Sequence, residues 1–125
     1  MNPYFLIFVG GGLGACLRFF LSMLIHNNTN GIFPWGTFAI NIAGSFILGL
    51  VVALSISKPP IIDNNIKLLL TTGFCGGFTT FSTFSWEVLT LLKEGYYLQG
   101  FLYSFGSLFI GLIAVFLACW LVRLA

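Results

Sequence analysis

The stretch GFCGGFTTFSTFSWE, residues 73–87, sets glycines and hydroxyl side chains inside a segment that is otherwise apolar enough to cross a membrane. Gly73, Gly76 and Gly77 free the backbone, and the threonines that follow compete for its hydrogen bonds. One interpretation is a helix break in mid-membrane, which is tolerated only where the freed carbonyls are buried in protein or line a cavity. The other is an intact helix, thinned by glycine for close packing. The pattern by itself leaves both open.

Phenylalanines recur at every third position of the same stretch, as Phe78, Phe81 and Phe84. Residues three apart are neighbours on a helix surface, so two or three rings share a face with Ser82 and Thr83 beside it. In a chain with 15 phenylalanines such rings ordinarily belong to the core. Ring edges are nonetheless electropositive, and hydroxyls are hydrogen-bond donors, so the combination suits a small anion.

The rest of the chain is equally apolar: 58% of its 125 residues are hydrophobic, 6% are charged, and the net charge is +2. A soluble domain could not bury that much apolar surface. Four apolar segments, at about residues 4–25, 33–56, 66–92 and 97–124, each have the roughly 20 residues that a spanning helix needs. We therefore predict an all-α integral membrane protein with four transmembrane helices, a single transmembrane domain over residues 1–125.

The positive charges are nearly balanced between the two faces of the membrane. Four spans put both termini and the second loop on one face, with Lys58, Lys67 and Arg123, while the other face has Lys93 and Arg18. Three against two is a weak positive-inside bias. The tally favours a chain that inserts in both orientations.

Polar side chains within the spans are costly in hydrocarbon unless they face a partner or water. Those that qualify outside the opening stretch are Arg18, Asn41, Tyr103, Ser104 and Ser107. An arginine near a helix end can snorkel, but the short amide of Asn41 in mid-span cannot, so it needs a hydrogen-bond partner. The sequence offers no carboxylate pair, nucleophile–base set or phosphate loop, and we expect no enzymatic activity. Cys16, Cys75 and Cys119 lie within spans and are predicted to be buried thiols.

Three motifs carry a resemblance to a known family: GGGLGACLRFF at 10–20, WGTFAINIAGSFILG at 35–49 and the opening stretch at 73–87. Together they resemble the Fluc, or CrcB, family of fluoride channels, with all four spans in the same order. The resemblance implies a fluoride-selective channel that exports fluoride passively down its electrochemical gradient and gives fluoride resistance. It implies a break in the third of the four helices. It also implies a plasma (cell inner) membrane location and an antiparallel homodimer of dual-topology subunits with two pores.

The resemblance further assigns ligands and pore residues by position. A structural sodium ion at the dimer interface would be held by the backbone carbonyls of Gly76 and Thr79. The pore phenylalanines correspond to Phe81 and Phe84, and the pore asparagine corresponds to Asn41.

A hydroxyl track along the fourth helix is also implied by the family. It would fall on Tyr103 and Ser107, which are four residues apart and share a helix face. The next position of that row is Gly111, which has no hydroxyl, so the extent of the track beyond Ser107 stays open. Ser82 and Thr83 would extend the polar surface from the third helix.

Two charged residues complete the expected site: Arg18 and Glu87 would lie at the vestibule. The alternative function is a small dual-topology proton-coupled exporter, which would need a titratable carboxylate in mid-span, whereas Glu87 lies late in the third segment. A non-transporting assembly protein would explain the glycines but not the Asn41 amide and the hydroxyls within the spans.

Overall fold

The third span is the irregular part of an otherwise regular helical protein. The computed structural model describes residues 1–124, and these form helices throughout, with no strand in that range. Three long helices are α1 (Pro3–Asn28), α2 (Trp35–Ile56) and α6 (Tyr97–Leu124). All three are long and apolar enough to cross a membrane. The prediction of an all-helical membrane protein is confirmed.

The third span consists of several pieces. These are α3 (Asn64–Leu68), a π-helical stretch (Leu69–Cys75), the single turn α4 (Gly76–Phe78) and α5 (Phe81–Lys93). Between α4 and α5 the chain is extended at Thr79 and Thr80, with ψ angles of 161° and 122°. With 13 residues, α5 is about 20 Å long, shorter than the roughly 30 Å hydrocarbon core. The predicted break is therefore present, and the span crosses as two half-helices.

Glycines bring α1 into contact with the first half of this span. Gly10 and Gly14 are buried, and a Cβ at Gly14 would collide with the Phe74 carbonyl. From the other side, a Cβ at Gly77 would collide with the Gly11 carbonyl. These glycines therefore serve backbone-to-backbone packing within one chain, an arrangement common among helices in lipid.

The remaining helices pack as a second group. α2 makes its largest contact with α6. A Cβ added at Gly49 would come against the main chain of Val115, so the two helices approach closely there. α5 packs against α6 and touches α2. α1 thus borders the first half of the third span and α6 borders the second half, while α2 contacts both.

The outward surface is strongly apolar, as Phe8 and Phe109 illustrate with 79% and 59% exposure. Such a surface suits lipid or another membrane subunit, and the chain is a multi-pass membrane protein. One sequence prediction was wrong: Cys16 is exposed because it lies on the outward face of α1, whereas Cys75 is buried as predicted.

Candidate functional site

The Asn41 side chain joins α2 to the break in the third span. Its Nδ2 donates to the Thr80 carbonyl at 3.1 Å, and its Oδ1 accepts the Thr80 N–H at 2.8 Å. One amide therefore satisfies both main-chain polar groups of a residue that has left the helix. The hydrogen-bond partner that the sequence predicted for Asn41 is the main chain at the break.

These contacts redirect the hydrogen bonds of the interrupted helix. In a continuous α-helix the Thr80 N–H would donate to the Gly76 carbonyl, and the Thr83 N–H would donate to the Thr79 carbonyl. Here the Thr80 N–H donates to Asn41 instead. The Thr83 N–H donates to the Thr80 hydroxyl at 3.3 Å, and Thr80 is therefore the N-cap of α5. The carbonyls of Gly76 and Thr79 consequently lose their α-helical donors.

An open cavity of about 690 Å³, which we call the break cleft, lies beside this junction. Its polar lining consists of Asn41, Ser45, Thr71, Cys75, Thr79, Thr80, Ser104 and Ser107, and its apolar lining consists of Gly44, Leu48, Gly76, Phe81, Phe84, Phe105 and Leu108. The cleft thus combines aromatic rings with a few hydroxyl and amide groups.

Four predicted pore residues meet in the break cleft: Asn41, Phe81, Phe84 and Ser107. The two phenylalanine rings have centroids 6.0 Å apart and are tilted by 36°. Phe81 is 80% exposed, so its ring projects from the subunit. The Ser107 Oγ is buried and has no hydrogen-bond partner among residues 1–124. A buried hydroxyl without a partner is a donor available to a ligand.

Tyr103 and Glu87 lie apart from the break cleft and bind each other. Tyr103 is fully buried, and its hydroxyl donates to Glu87 Oε2 at 2.6 Å. The Thr37 hydroxyl donates to Glu87 Oε1 at 2.8 Å. The Tyr103 ring packs on Phe84 with a centroid distance of 4.9 Å. Tyr103 therefore supports the Phe84 ring, which lines the break cleft, and holds a carboxylate.

Sequence reasoning missed Thr37, although a signal for it was present. Thr37, Asn41 and Ser45 follow one another at intervals of four along α2, so they share one face of that helix. Each forms a different hydrogen bond: to Glu87, to Thr80, and to the main chain of α2 itself. The row of three polar residues predicts a polar face on α2.

Arg18 and Thr83 lie on another side of the break. They line a second groove of about 280 Å³, together with Ser22 and Thr80. Glu87 lines a third pocket, of about 300 Å³, formed where the connection between α1 and α2 meets α5. Ser82 is exposed and lines none of these three. The two predicted vestibule residues thus line different pockets, which are adjacent and share Ser22 and Thr37, and neither Ser82 nor Thr83 lines the break cleft.

The chemistry of this region favours hard ions over transition metals. No cluster of histidine, cysteine or carboxylate side chains suited to a metal occurs in the part of the chain that the structure describes. Main-chain carbonyls that have lost their helical donors can serve as oxygen ligands, and hard cations such as sodium bind oxygen ligands.

A four-span helical protein with one broken span, and with rings and hydroxyls lining a cleft at the break, belongs to the channel and transporter class of membrane proteins. Its sequence matches the model of one family, described as "CrcB-like protein, Camphor Resistance (CrcB)", over residues 5–119. The chain therefore belongs to the CrcB family.

Curated relatives align along nearly the whole chain. A protein of Phocaeicola vulgatus is 47% identical over 121 residues, covering 97% of this chain and 98% of its own. One from Gloeothece citriformis is 49% identical over 123 residues, with 98% of each chain covered. One from Thermus thermophilus is 43% identical over 117 residues, covering 94% of this chain and 92% of its own. Each of the three is named "Fluoride-specific ion channel FluC".

Proposed function

We infer that this chain is a fluoride-selective ion channel and not an enzyme. The inference rests on its membership of the CrcB family and on near-full-length relatives named as fluoride channels. Conduction down the electrochemical gradient exports fluoride from a cell that has accumulated it. We propose that the chain works in the cell inner membrane and gives fluoride resistance.

The observation that best supports this mechanism is the break cleft itself. It offers a small anion the ring edges of Phe81 and Phe84 and the unpartnered hydroxyl of Ser107. Ring edges and hydroxyl donors replace parts of the hydration shell of fluoride. Several moderate sites let the ion enter and leave, and a narrow path excludes the larger chloride. In this mechanism Asn41 holds the path open at the break.

Proton-coupled export is not favoured. The one carboxylate within a span is Glu87, and both of its oxygens accept hydrogen bonds from hydroxyls, those of Thr37 and Tyr103. We propose that Glu87 and Arg18 act near the mouths of the path, where a charge affects the local ion concentration. Arg18 would attract fluoride, and Glu87 would hold Tyr103 in place behind the ring of Phe84.

We propose that two copies assemble as an antiparallel homodimer. Exposed hydroxyls at Ser82, Thr83 and Ser85 lie beside the exposed Phe81 ring on α5. Hydroxyls facing hydrocarbon are unfavourable, so a covering partner stabilises this face. A second copy in the opposite orientation would close the open side of the break cleft, and the balanced charges permit both orientations.

The carbonyls of Gly76 and Thr79 fit a sodium ion. Both have lost their α-helical donors, and Gly76 is exposed. Two such carbonyls from each copy would give the ion a set of oxygen ligands at the dimer interface, where the ion would offset the dipoles of the broken helices. Replacing sodium by N-methylglucamine should lower the thermal stability of the purified dimer, and unchanged stability would remove this proposal.

The function is tested by fluoride efflux from liposomes that contain the purified protein. A fluoride electrode follows release, valinomycin with potassium balances the charge, and chloride serves as the comparison anion. Rapid, valinomycin-dependent loss of fluoride with chloride retained is the expected result. Loss that needs a proton gradient instead would favour the exporter, and no loss would favour an assembly protein.

A further inference from the structure

Ser45 is the third member of the polar row on α2, and its hydroxyl bonds only within its own helix. The other two members are engaged: Thr37 binds Glu87, and Asn41 binds Thr80. The Ser45 hydroxyl donates to the carbonyl of Asn41 at 2.8 Å, one turn back in the same helix. Its side chain lines the break cleft.

The Asn41 carbonyl does not depend on that hydroxyl. In a regular α-helix it accepts the main-chain N–H of residue 45. The hydroxyl bond is an additional one, of the local type that serine makes in helices when no other partner is present. The Ser45 O–H can therefore turn toward a ligand in the break cleft without leaving a buried carbonyl unsatisfied.

Helix α6 lacks a hydroxyl beside Ser45. Along α6, Tyr103, Ser107 and Gly111 occupy one face at intervals of four, and the row of hydroxyls stops at the glycine. Gly111 is buried, and a Cβ there would lie 3.6 Å from Ser45 Oγ. The Ser45 hydroxyl thus lies where a side chain at position 111 would point.

A path for an anion needs donors at successive levels, since each replaces part of the hydration shell. Ser107 supplies an unpartnered donor one turn before Gly111 on α6. Leu48 and Leu108 also line the break cleft, and neither side chain is a donor. The Ser45 hydroxyl lies beside Gly111.

We propose that Ser45 is a fluoride-contacting residue, which supplies from α2 the donor that α6 lacks at Gly111. The proposal rests on the fluoride-channel function proposed above and adds a residue to its path. A fluoride ion that moves on from the level of Ser107 accepts a hydrogen bond from the Ser45 hydroxyl. When the ion leaves, that hydroxyl donates to the Asn41 carbonyl again.

The test compares fluoride efflux rates of variants in liposomes. Ser45→Ala should conduct roughly tenfold more slowly than the unaltered protein, the factor expected for loss of one net hydrogen bond. Ser55→Ala is the matched control, because Ser55 lies on the same helix, makes a similar local bond to the Val52 carbonyl and does not line the break cleft. It should conduct normally.

A second substitution separates the hydroxyl from packing. Gly111→Ser in the Ser45→Ala background puts a hydroxyl close to the vacated place, and it should restore most of the rate. Gly111→Ala in that background adds a methyl group without a hydroxyl, and it should not restore the rate. Equal restoration by both, or restoration by neither, would overturn the proposal.

Two further outcomes would each overturn the proposed role of Ser45. A normal rate for Ser45→Ala, with the unaltered protein conducting fluoride, would overturn the role of Ser45 and leave the channel function intact. Absence of fluoride efflux from the unaltered protein would overturn both. If size exclusion shows that Ser45→Ala does not assemble, Ser45→Cys takes its place, since a thiol of similar size is a weak donor and should slow fluoride equally.

Discussion

The amide of Asn41 has a structural task at the break, and the proposed mechanism gives the same atoms a functional one. It satisfies the N–H and the carbonyl of Thr80, which have no helical partners at the break, and it faces the break cleft. A buried main-chain group left without a partner costs about 1–3 kcal/mol. Substitutions at Asn41 are therefore expected to affect folding and conduction together.

We predict that Asn41→Asp conducts fluoride roughly a hundredfold more slowly. Aspartate cannot donate to the Thr80 carbonyl, and its charge repels the anion by roughly 3 kcal/mol at about 5 Å and an effective dielectric constant of about 20. Efflux from liposomes at neutral pH measures the change. Asn27→Asp, at an exposed position near the end of α1, is the control for an added charge. A nearly normal rate for Asn41→Asp would contradict the placement of Asn41 on the path.

The two cleft phenylalanines are expected to act on the ion and not on assembly. Phe81→Ile and Phe84→Ile keep apolar bulk but remove the electropositive ring edge. Each should suppress fluoride efflux strongly while the protein elutes as a dimer on size exclusion. Phe109→Ile, at an exposed position on α6 outside the break cleft, should conduct normally. Normal rates in both cleft variants would put their rings outside the path.

The third span is the element that decides the architecture, because it is the one that cannot cross the membrane as a single regular helix. Its first half is fixed against α1 through glycines, and its second half is capped by Thr80 and packs on α6. The two halves are therefore held by different neighbours. Asn41 of α2 connects them at the break.

We predict that Gly77→Ala destabilises the protein, by about 1–3 kcal/mol. The new methyl group would collide with the main chain of Gly11 and push α4 away from α1. Gly12→Ala is the matched control, since a Cβ there meets no atom within 4 Å and alanine favours the helix. Thermal unfolding in detergent compares the two variants. Equal melting temperatures would mean that the close approach of α1 and α4 contributes nothing to stability.

Local sequence signals indicated where a break could occur, because the glycines and threonines that cause it are contiguous. They left an intact helix equally open, and the family resemblance was needed to choose between the two. They did not predict the Asn41–Thr80 contact, which joins residues 39 apart in sequence, or the π-helical stretch Leu69–Cys75 that precedes the break. Both depend on how the helices pack, which a periodic pattern does not encode. For the same reason, the sequence did not reveal that Arg18 and Glu87 line different pockets.

At the scale of the whole molecule, the described chain has an open side. The break cleft is not enclosed by this subunit, and Phe81 with the hydroxyls of Ser82 and Thr83 faces outward from α5. Exposed hydroxyls and an exposed aromatic ring beside an open cleft are consistent with a second subunit there. The small charge difference between the two faces permits that subunit to have the opposite orientation.

We predict that a single reporter cysteine at Asn30, in a variant without Cys16, Cys75 and Cys119, is labelled from both sides of the membrane in comparable amounts. Impermeant thiol reagents applied to intact cells and to inverted vesicles make the measurement. Adding Asn64→Lys biases insertion toward one orientation and should shift the labelling to one side. Labelling of the unbiased variant from one side only would exclude dual topology.

Because Asn41 binds the main chain of Thr80, the contact has consequences for genetics. Every residue except proline offers the same N–H and carbonyl, so no codon change at position 80 can create a complementary partner for a defective allele at position 41. Suppressors of such alleles are expected elsewhere, at sites that supply a new amide or hydroxyl to the break. Covariation between positions 41 and 80 would likewise be weak, even though the two residues are in direct contact.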